Sequence, residues 1–384
     1  MQKKLWLLFG LFMYVVTYAQ YDKKAGGVNF NKAVTDSLFN KAATEYDEEN
    51  YKEAYKTYSG LLDVSVSDSG FYYRGLCSYS LGDYKFAIID LTESIGHGRK
   101  KHDVYYWRGV SYFLMANYDQ AMVDFDKALQ IKSDFYGAYA YKGACNFFAE
   151  KYTDALALLN KSILLQNDFE PAYYYRAMVN YYLNNFEAGV KDCNSALSLN
   201  KYYETFFWRG MNYAELKNYK ASIADYDTVL SHNHKYANAY YNRALSYYEL
   251  GDYKQAVLDN TNCISLDALN DDAYYNRALC EFELENYTAA ETDFKSAYAM
   301  GNKTENLFCW RGANYYMLNN IDLALQDLTK AIELNPKDDF AYYYRGLTKK
   351  SNNDVSGACT DLKKAVSLGN QYAKDELSKS NCGK

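Results

Sequence analysis

Four histidines, eight cysteines and 48 carboxylates are the side chains of this 384-residue chain best able to act on a substrate or hold a metal. Their spacing assembles neither arrangement. His97 and His102 flank one short polar stretch, and His232 and His234 flank Asn233 in another. No nucleophile motif and no glycine-rich phosphate loop is present. No cysteine spacing resembles a zinc site. The expectation is a protein that is not an enzyme, with no catalytic residues, no metal and no cofactor.

What does recur is an arginine followed by an aspartate. Arg74, Arg108, Arg176, Arg209, Arg243, Arg277, Arg311 and Arg345 each precede an acid by 16 residues, from Asp90 and Asp124 through Asp192, Asp225, Asp259, Asp293 and Asp327 to Asp361. Lys41 and Lys142 take the arginine's place in two further copies, and there Thr57 and Leu158 stand where the acid would be. Pairing within a copy leaves no orphan acid. Pairing between successive copies would strand Asp124 beside Lys142 and leave Arg176 without an acid. The pattern therefore predicts a planar, partly buried bridge inside each copy, with Arg108–Asp124 and Arg243–Asp259 as type examples. The other use of such residues is a ladder of ligand-binding arginines. A desolvated guanidinium needs an acid nearby, which favours the structural use.

The elements that position these charges follow from one stretch. Residues 102–135 read HDVYYWRGVSYFLMANYDQAMVDFDKALQIKSDF. Tyr105, Gly109 and Tyr112 fall at i, i+4 and i+7, one stripe of a helix. Ala121, Phe125 and Ala128 form the matching stripe of a second helix. The break at Ala116-Asn117 is too short for anything but an antiparallel helical hairpin. The small residues lie where the two helices must approach closely. The unit repeats at a spacing of 34 residues, with a single step of 33 between Arg176 and Arg209. A degenerate first copy with Lys41-Ala42 and Ala54 brings the total to ten hairpins. Such a period identifies a solenoid, which grows by stacking and has no single core.

In the copy from Glu305, the signature residues are Phe308, Gly312, Tyr315, Ile321, Ala324, Leu328, Ala331 and Pro336. This pattern resembles the tetratricopeptide repeat (TPR) family. The resemblance covers residues 35–370 and implies an all-α fold, a right-handed α-solenoid of about ten helix-turn-helix repeats. The proline that often ends each repeat survives only at Pro336. The resemblance also implies that one stripe of each first helix lines a concave groove. Here that stripe holds Phe207 and Met211, then Tyr241, Leu245 and Tyr248, then Tyr275, Leu279 and Phe282. These rings offer stacking area with a polar tip, or else they only pack against neighbouring helices. One residue further round, Glu215, Glu249 and Glu283 occupy equivalent slots in three successive repeats, and Asn242 and Asn276 do so in two. Family members that grip extended peptides use asparagine amides in this way. A solvated helix face is the other account of the glutamates.

The ends of the chain read differently. Lys3-Lys4, the apolar run Leu5 to Val16 and the small residue Ala19 form the three parts of a secretory signal peptide over residues 1–19. Without Lys3 and Lys4, two of the 42 basic residues, the balance is 40 basic to 48 acidic side chains. That acidity argues against nucleic acid and against an anionic membrane surface. Residues 20–34 read as a flexible lead-in, and 371–384 as a capping helix and a frayed tail. Cys77, Cys145 and Cys280 fill one small-residue slot in copies that do not touch, so no disulfide framework is expected. Cys263 and Cys280, on consecutive helices, are the pair closest to bridging.

The function these residues imply is an exported scaffold, periplasmic or extracellular. Its groove would bind protein or peptide segments for assembly, secretion or folding at the cell envelope. The alternative is a glycan or peptidoglycan binder using the aromatic stripe. The three-part signal predicts a mature protein that begins at Gln20 and does not span a membrane. N-terminal sequencing of the native protein should return Gln20, and recovery of Met1 would contradict the signal.

Overall fold

The computed structural model describes residues 27–379 and Cys382, with side chains from Lys32 onward. The expected signal segment lies outside the described residues. The described residues form 21 helices and no strand, the all-α solenoid class that the repeat implies. They divide into two compact units after Leu183.

In the first unit the helices are α1 (Gly27–Asp47), α2 (Tyr51–Val64), α3 (Asp68–Ser80), α4 (Tyr84–Gly96), α5 (His102–Leu114), α6 (Tyr118–Ile131), α7 (Tyr136–Phe148), α8 (Tyr152–Leu165) and α9 (Glu170–Tyr182). The second unit opens with α10 (Phe186–Leu199), α11 (Tyr203–Glu215), α12 (Tyr219–His232), α13 (Ala237–Glu249), α14 (Tyr253–Leu266) and α15 (Asp271–Glu283). It continues with α16 (Tyr287–Met300), α17 (Glu305–Met317), α18 (Ile321–Leu334), α19 (Asp339–Ser351), α20 (Val355–Leu368) and the capping helix α21 (Gln371–Lys379). Among the described residues no helix is long and apolar enough to cross a membrane.

Each hairpin closes through the same bend. Ala116, at φ 56°, takes the left-handed conformation between α5 and α6. Its N–H donates to the Phe113 carbonyl and that of Asn117 to the Tyr112 carbonyl, both at 2.9 Å. These two bonds satisfy carbonyls that the end of α5 would otherwise leave open. The Asn117 side chain then accepts from the Gln120 N–H and caps α6. Glu150, Lys217, Glu285, Asn319 and Asn353 take the same conformation at equivalent bends. A side chain in this region costs about 1 kcal/mol relative to glycine. It recurs because a bend this short needs a left-handed residue to reverse the chain.

The stripes meet as their spacing requires. Ala121, Phe125 and Ala128 are fully buried, with Tyr105 and Tyr112 packed half-buried against their cluster; Tyr106, Val110 and Phe113, one residue further round, are buried in it as well. A Cβ added at Gly109 would lie 2.8 Å from the Phe125 ring, and one at Gly312 would lie 2.7 Å from Leu328 Cγ. No real Cβ sits so close, so glycine is required for the two helices to approach there.

Three expectations about the termini and cysteines need correction. The segment expected to be a flexible lead-in is helical from Gly27. Gly27 opens that helix, and no glycine or proline follows it before Asn50. Cys263 and Cys280 do not pair; both are buried free thiols, as are Cys77, Cys145, Cys193 and Cys309. The bridge present is Cys359–Cys382, with Cα atoms 5.4 Å apart. It fastens the tail to α20, so the tail expected to fray is held at Cys382. Cys359 and Cys382 are both only half-buried, and neither was among the cysteines singled out from the sequence.

Candidate functional site

The recurring charges are the first group to place. Arg243 Nε donates to Asp259 Oδ2 and Nη2 to Oδ1, both at 2.7 Å, across the seam between α13 and α14. Arg108 holds Asp124 in the same bidentate way at 2.8 and 2.7 Å. The pairs at Arg74, Arg209, Arg277, Arg311 and Arg345 repeat it. Asp259 is 4% exposed and Asp124 2%. Burial raises the carboxyls of Asp124, Asp225 and Asp259 above their ordinary range, and the arginine bonds only partly offset it. The ionised acid is thus tolerated only because its arginine is there.

The third nitrogen of every one of these guanidiniums except that of Arg311 has a partner that the 16-residue spacing did not reveal. Arg108 Nη1 donates to Thr92 Oγ1 at 3.1 Å, on the hairpin before its own. Arg209 reaches Asn194 at 2.7 Å, Arg277 reaches Thr261 at 3.0 Å and Arg345 reaches Thr329 at 3.3 Å. Lys142, whose own repeat lacks the acid, pairs with Asp126 on the preceding hairpin. These cations are committed to contacts within the fold.

Of the groove residues, Phe207 is core. It is 7% exposed and packs on Tyr236 and Tyr226 with ring centroids at 5.1 and 5.8 Å. Tyr241, Tyr248, Tyr275 and Phe282 are half-buried. Tyr248 meets Tyr253 at 5.4 Å, Tyr275 meets Phe294 at 6.0 Å, and Phe282 lies 5.4 Å from both Tyr287 and Trp310. Burial pushes the Tyr248 phenol up to about 12. Asn276 Nδ2 donates to the Tyr241 hydroxyl at 3.0 Å, joining neighbouring hairpins. Asn242 Nδ2 instead donates to the Asn238 carbonyl of its own helix at 2.8 Å. The two asparagines therefore do not form one matched pair.

Glu215, Glu249 and Glu283 are all exposed, each the last residue of a first helix. Each is followed four residues later by the tyrosine that opens the second helix: Tyr219, Tyr253 and Tyr287. Tyr219 Oη donates to Glu249 Oε2 at 3.2 Å, so a tyrosine of one hairpin meets the glutamate of the next. Burial and then the Glu283 charge raise the Tyr253 phenol, which extends the same alternation. Burial also raises the Glu283 carboxyl. The tyrosines were not among the residues singled out from the sequence. The Glu-Leu-x-Asn/Asp-Tyr run at 215–219, 249–253 and 283–287 was the available signal. An acceptor that favours the protonated phenol raises its pKa, and for Tyr219 the causes in order are burial and the nearby Glu249. Glu249→Gln should therefore lower the Tyr219 midpoint toward the ordinary tyrosine value, read from the ring carbon shift in a pH titration. An unmoved midpoint would separate the two residues.

Among the described residues no cluster of His, Cys, Asp and Glu could hold a metal ion. Tetratricopeptide repeat family profiles match residues 102–135, 209–260 and 306–338. A comparison with curated proteins finds no match. Among solved structures, a tetratricopeptide repeat protein from Parabacteroides merdae is similar at 20% identity and TM-score 0.46, covering 64% of this chain and 98% of its own. The APC/C hetero-tetramer Cut9-Hcn1 is similar at 12% identity and TM-score 0.48, covering 90% and 96%. YrrB, described as a TPR protein with an unusual peptide-binding site, is similar at 20% identity and TM-score 0.41, covering 48% and 95%. With its three profile matches and its stacked 34-residue hairpins, the chain belongs to the tetratricopeptide repeat family.

Proposed function

We propose that this protein is an exported scaffold that holds a basic, extended protein segment along the hairpins from α11 to α16. Tetratricopeptide repeats generally bind proteins and peptides, which supports the class of ligand. The observation that carries the charge preference is the exposed row of Glu215, Glu249 and Glu283 in three consecutive hairpins. Equivalent slots in stacked repeats lie in line, so a chain with spaced lysines or arginines meets one carboxylate per hairpin. The adjoining tyrosines add apolar area with a hydroxyl tip. A sugar ligand is less well served, because Tyr248, Tyr275 and Phe282 have their rings engaged with neighbouring rings.

Export to the periplasm or beyond is supported by the signal-like first 19 residues and by the Cys359–Cys382 bridge. Disulfides persist in oxidising compartments and are rare in the cytosol. A role in assembly, secretion or folding at the cell envelope fits a scaffold so placed.

The test is fluorescence anisotropy with a labelled, lysine-rich extended peptide. Binding should weaken steeply with added salt, because exposed charges are screened. Joint replacement Glu215→Gln, Glu249→Gln and Glu283→Gln should cost about tenfold in affinity, at a few tenths of a kcal/mol per exposed pair. Helicity should be unchanged. Salt-independent binding, or full binding by the triple variant, would contradict the proposal.

A further inference from the structure

The seam has one irregular junction. In the eight other repeats that have both a cation at this position and a hairpin before them, from Arg74 and Arg108 through Lys142, Arg176, Arg209, Arg243 and Arg277 to Arg345, the cation also donates to an acceptor on the preceding hairpin. The acceptors are Ser59, Thr92, Asp126, Asn160, Asn194, Asp227, Thr261 and Thr329. For Arg311 the residue 16 positions earlier is Lys295, a cation that has no lone pair to offer. Arg311 keeps its Asp327 bonds through Nε and Nη2, at 2.6 and 3.0 Å. Nη1 thus lacks the bond made at the other junctions, and the Tyr298 ring lies 4.5 Å from the guanidinium carbon.

The backbone departs from the pattern at the same place. α14 and α18 run into Asp267 and Asn335 with φ near −135°. α16 instead ends on Gly301 at φ 125°, a conformation open to glycine. A cleft of about 870 Å³ lies between α16, α17 and α18, and Lys295, Arg311 and Lys330 all line it. Lys295 also bonds Glu291 and Lys330 bonds Glu333, each on its own helix, and each ammonium has donors beyond that bond.

We propose that this cleft is an oxyanion site, in which one carboxylate or phosphate group bridges Lys295 Nζ and Arg311 Nη1. The anion supplies the acceptor that Ser, Thr, Asn or Asp supplies at the other junctions. A planar or tetrahedral oxyanion matches a guanidinium edge and an ammonium together. Asp322 and Glu333 also line the cleft. Their charge excludes a polyanion and limits the ligand to a single small group. The site is formed largely by second helices and is independent of the glutamate row, so either can fail without the other.

The test compares the full-length protein with Lys295→Thr, which installs the hydroxyl found at Thr92, Thr261 and Thr329. Inorganic phosphate and acetate are titrated separately at constant ionic strength against chloride, followed by the ³¹P and ¹³C line widths of the anions. The wild-type protein should bind at least one of them saturably, and the response tells which oxyanion it takes. Lys295→Thr should lose at least about tenfold in affinity, because the threonine hydroxyl takes the Arg311 donor and one cation is gone. Circular dichroism should show an unchanged fold. Absence of saturable binding by the wild-type protein, or equal binding by the variant, would overturn the proposal.

Discussion

The arginine at the seam is the constraint on which the rest of this protein depends. Its fork geometry lets one side chain hold an aspartate across its own hairpin and still reach the hairpin before. The first contact fixes how two helices pack, as in Arg277 with Asp293. The second fixes how one repeat sits on another, as in Arg277 with Thr261. A lysine can make only the second, and Lys142 does so with Asp126, in the repeat where Leu158 replaces the acid. The choice between arginine and lysine at this position thus follows whether the repeat carries the acid of its own hairpin.

Committing the cations to the fold shapes what remains for ligands. The side chains singled out along α11, α13 and α15 are aromatic rings, asparagines and carboxylates. The aromatic rings are less available than their spacing suggests. Phe207 belongs to the core, and Tyr241 is already bonded to Asn276. What the groove offers outward is the glutamate row and the tyrosines beside it.

The fold was legible because the 34-residue period repeats both the apolar stripes and the small residues that let them meet. Gly109 against Phe125 is an example in which spacing alone identified the contact. The bridge inside each hairpin was also readable, since arginine and acid come and go together. The bond to the preceding hairpin was not readable, because its acceptor varies among Ser, Thr, Asn and Asp and has no single signature. The Cys359–Cys382 bridge escaped for a related reason: Cys382 lies beyond the repeats, so the period carries no information about its partner. At the candidate site, residue types showed the glutamate row. They did not show that Asn242 turns back to its own helix, which depends on local hydrogen-bond competition.

The central claim is that each arginine and aspartate form one structural unit, neither member of which is tolerated alone. Arg277 and Asp293 give the clearest case, because the other acceptor of Arg277 is the neutral Thr261. The direct measurement is amide hydrogen exchange across α15 and α16 in the full-length protein, which reads local opening without assuming a two-state array. Asp293→Ala should lower the opening free energy of that hairpin by about 3 kcal/mol, the cost of leaving a largely buried charge without its partner. Arg277→Met combined with Asp293→Leu should lose much less, since both desolvated groups leave together. Additive losses in the double variant, or no loss from Asp293→Ala, would contradict the account.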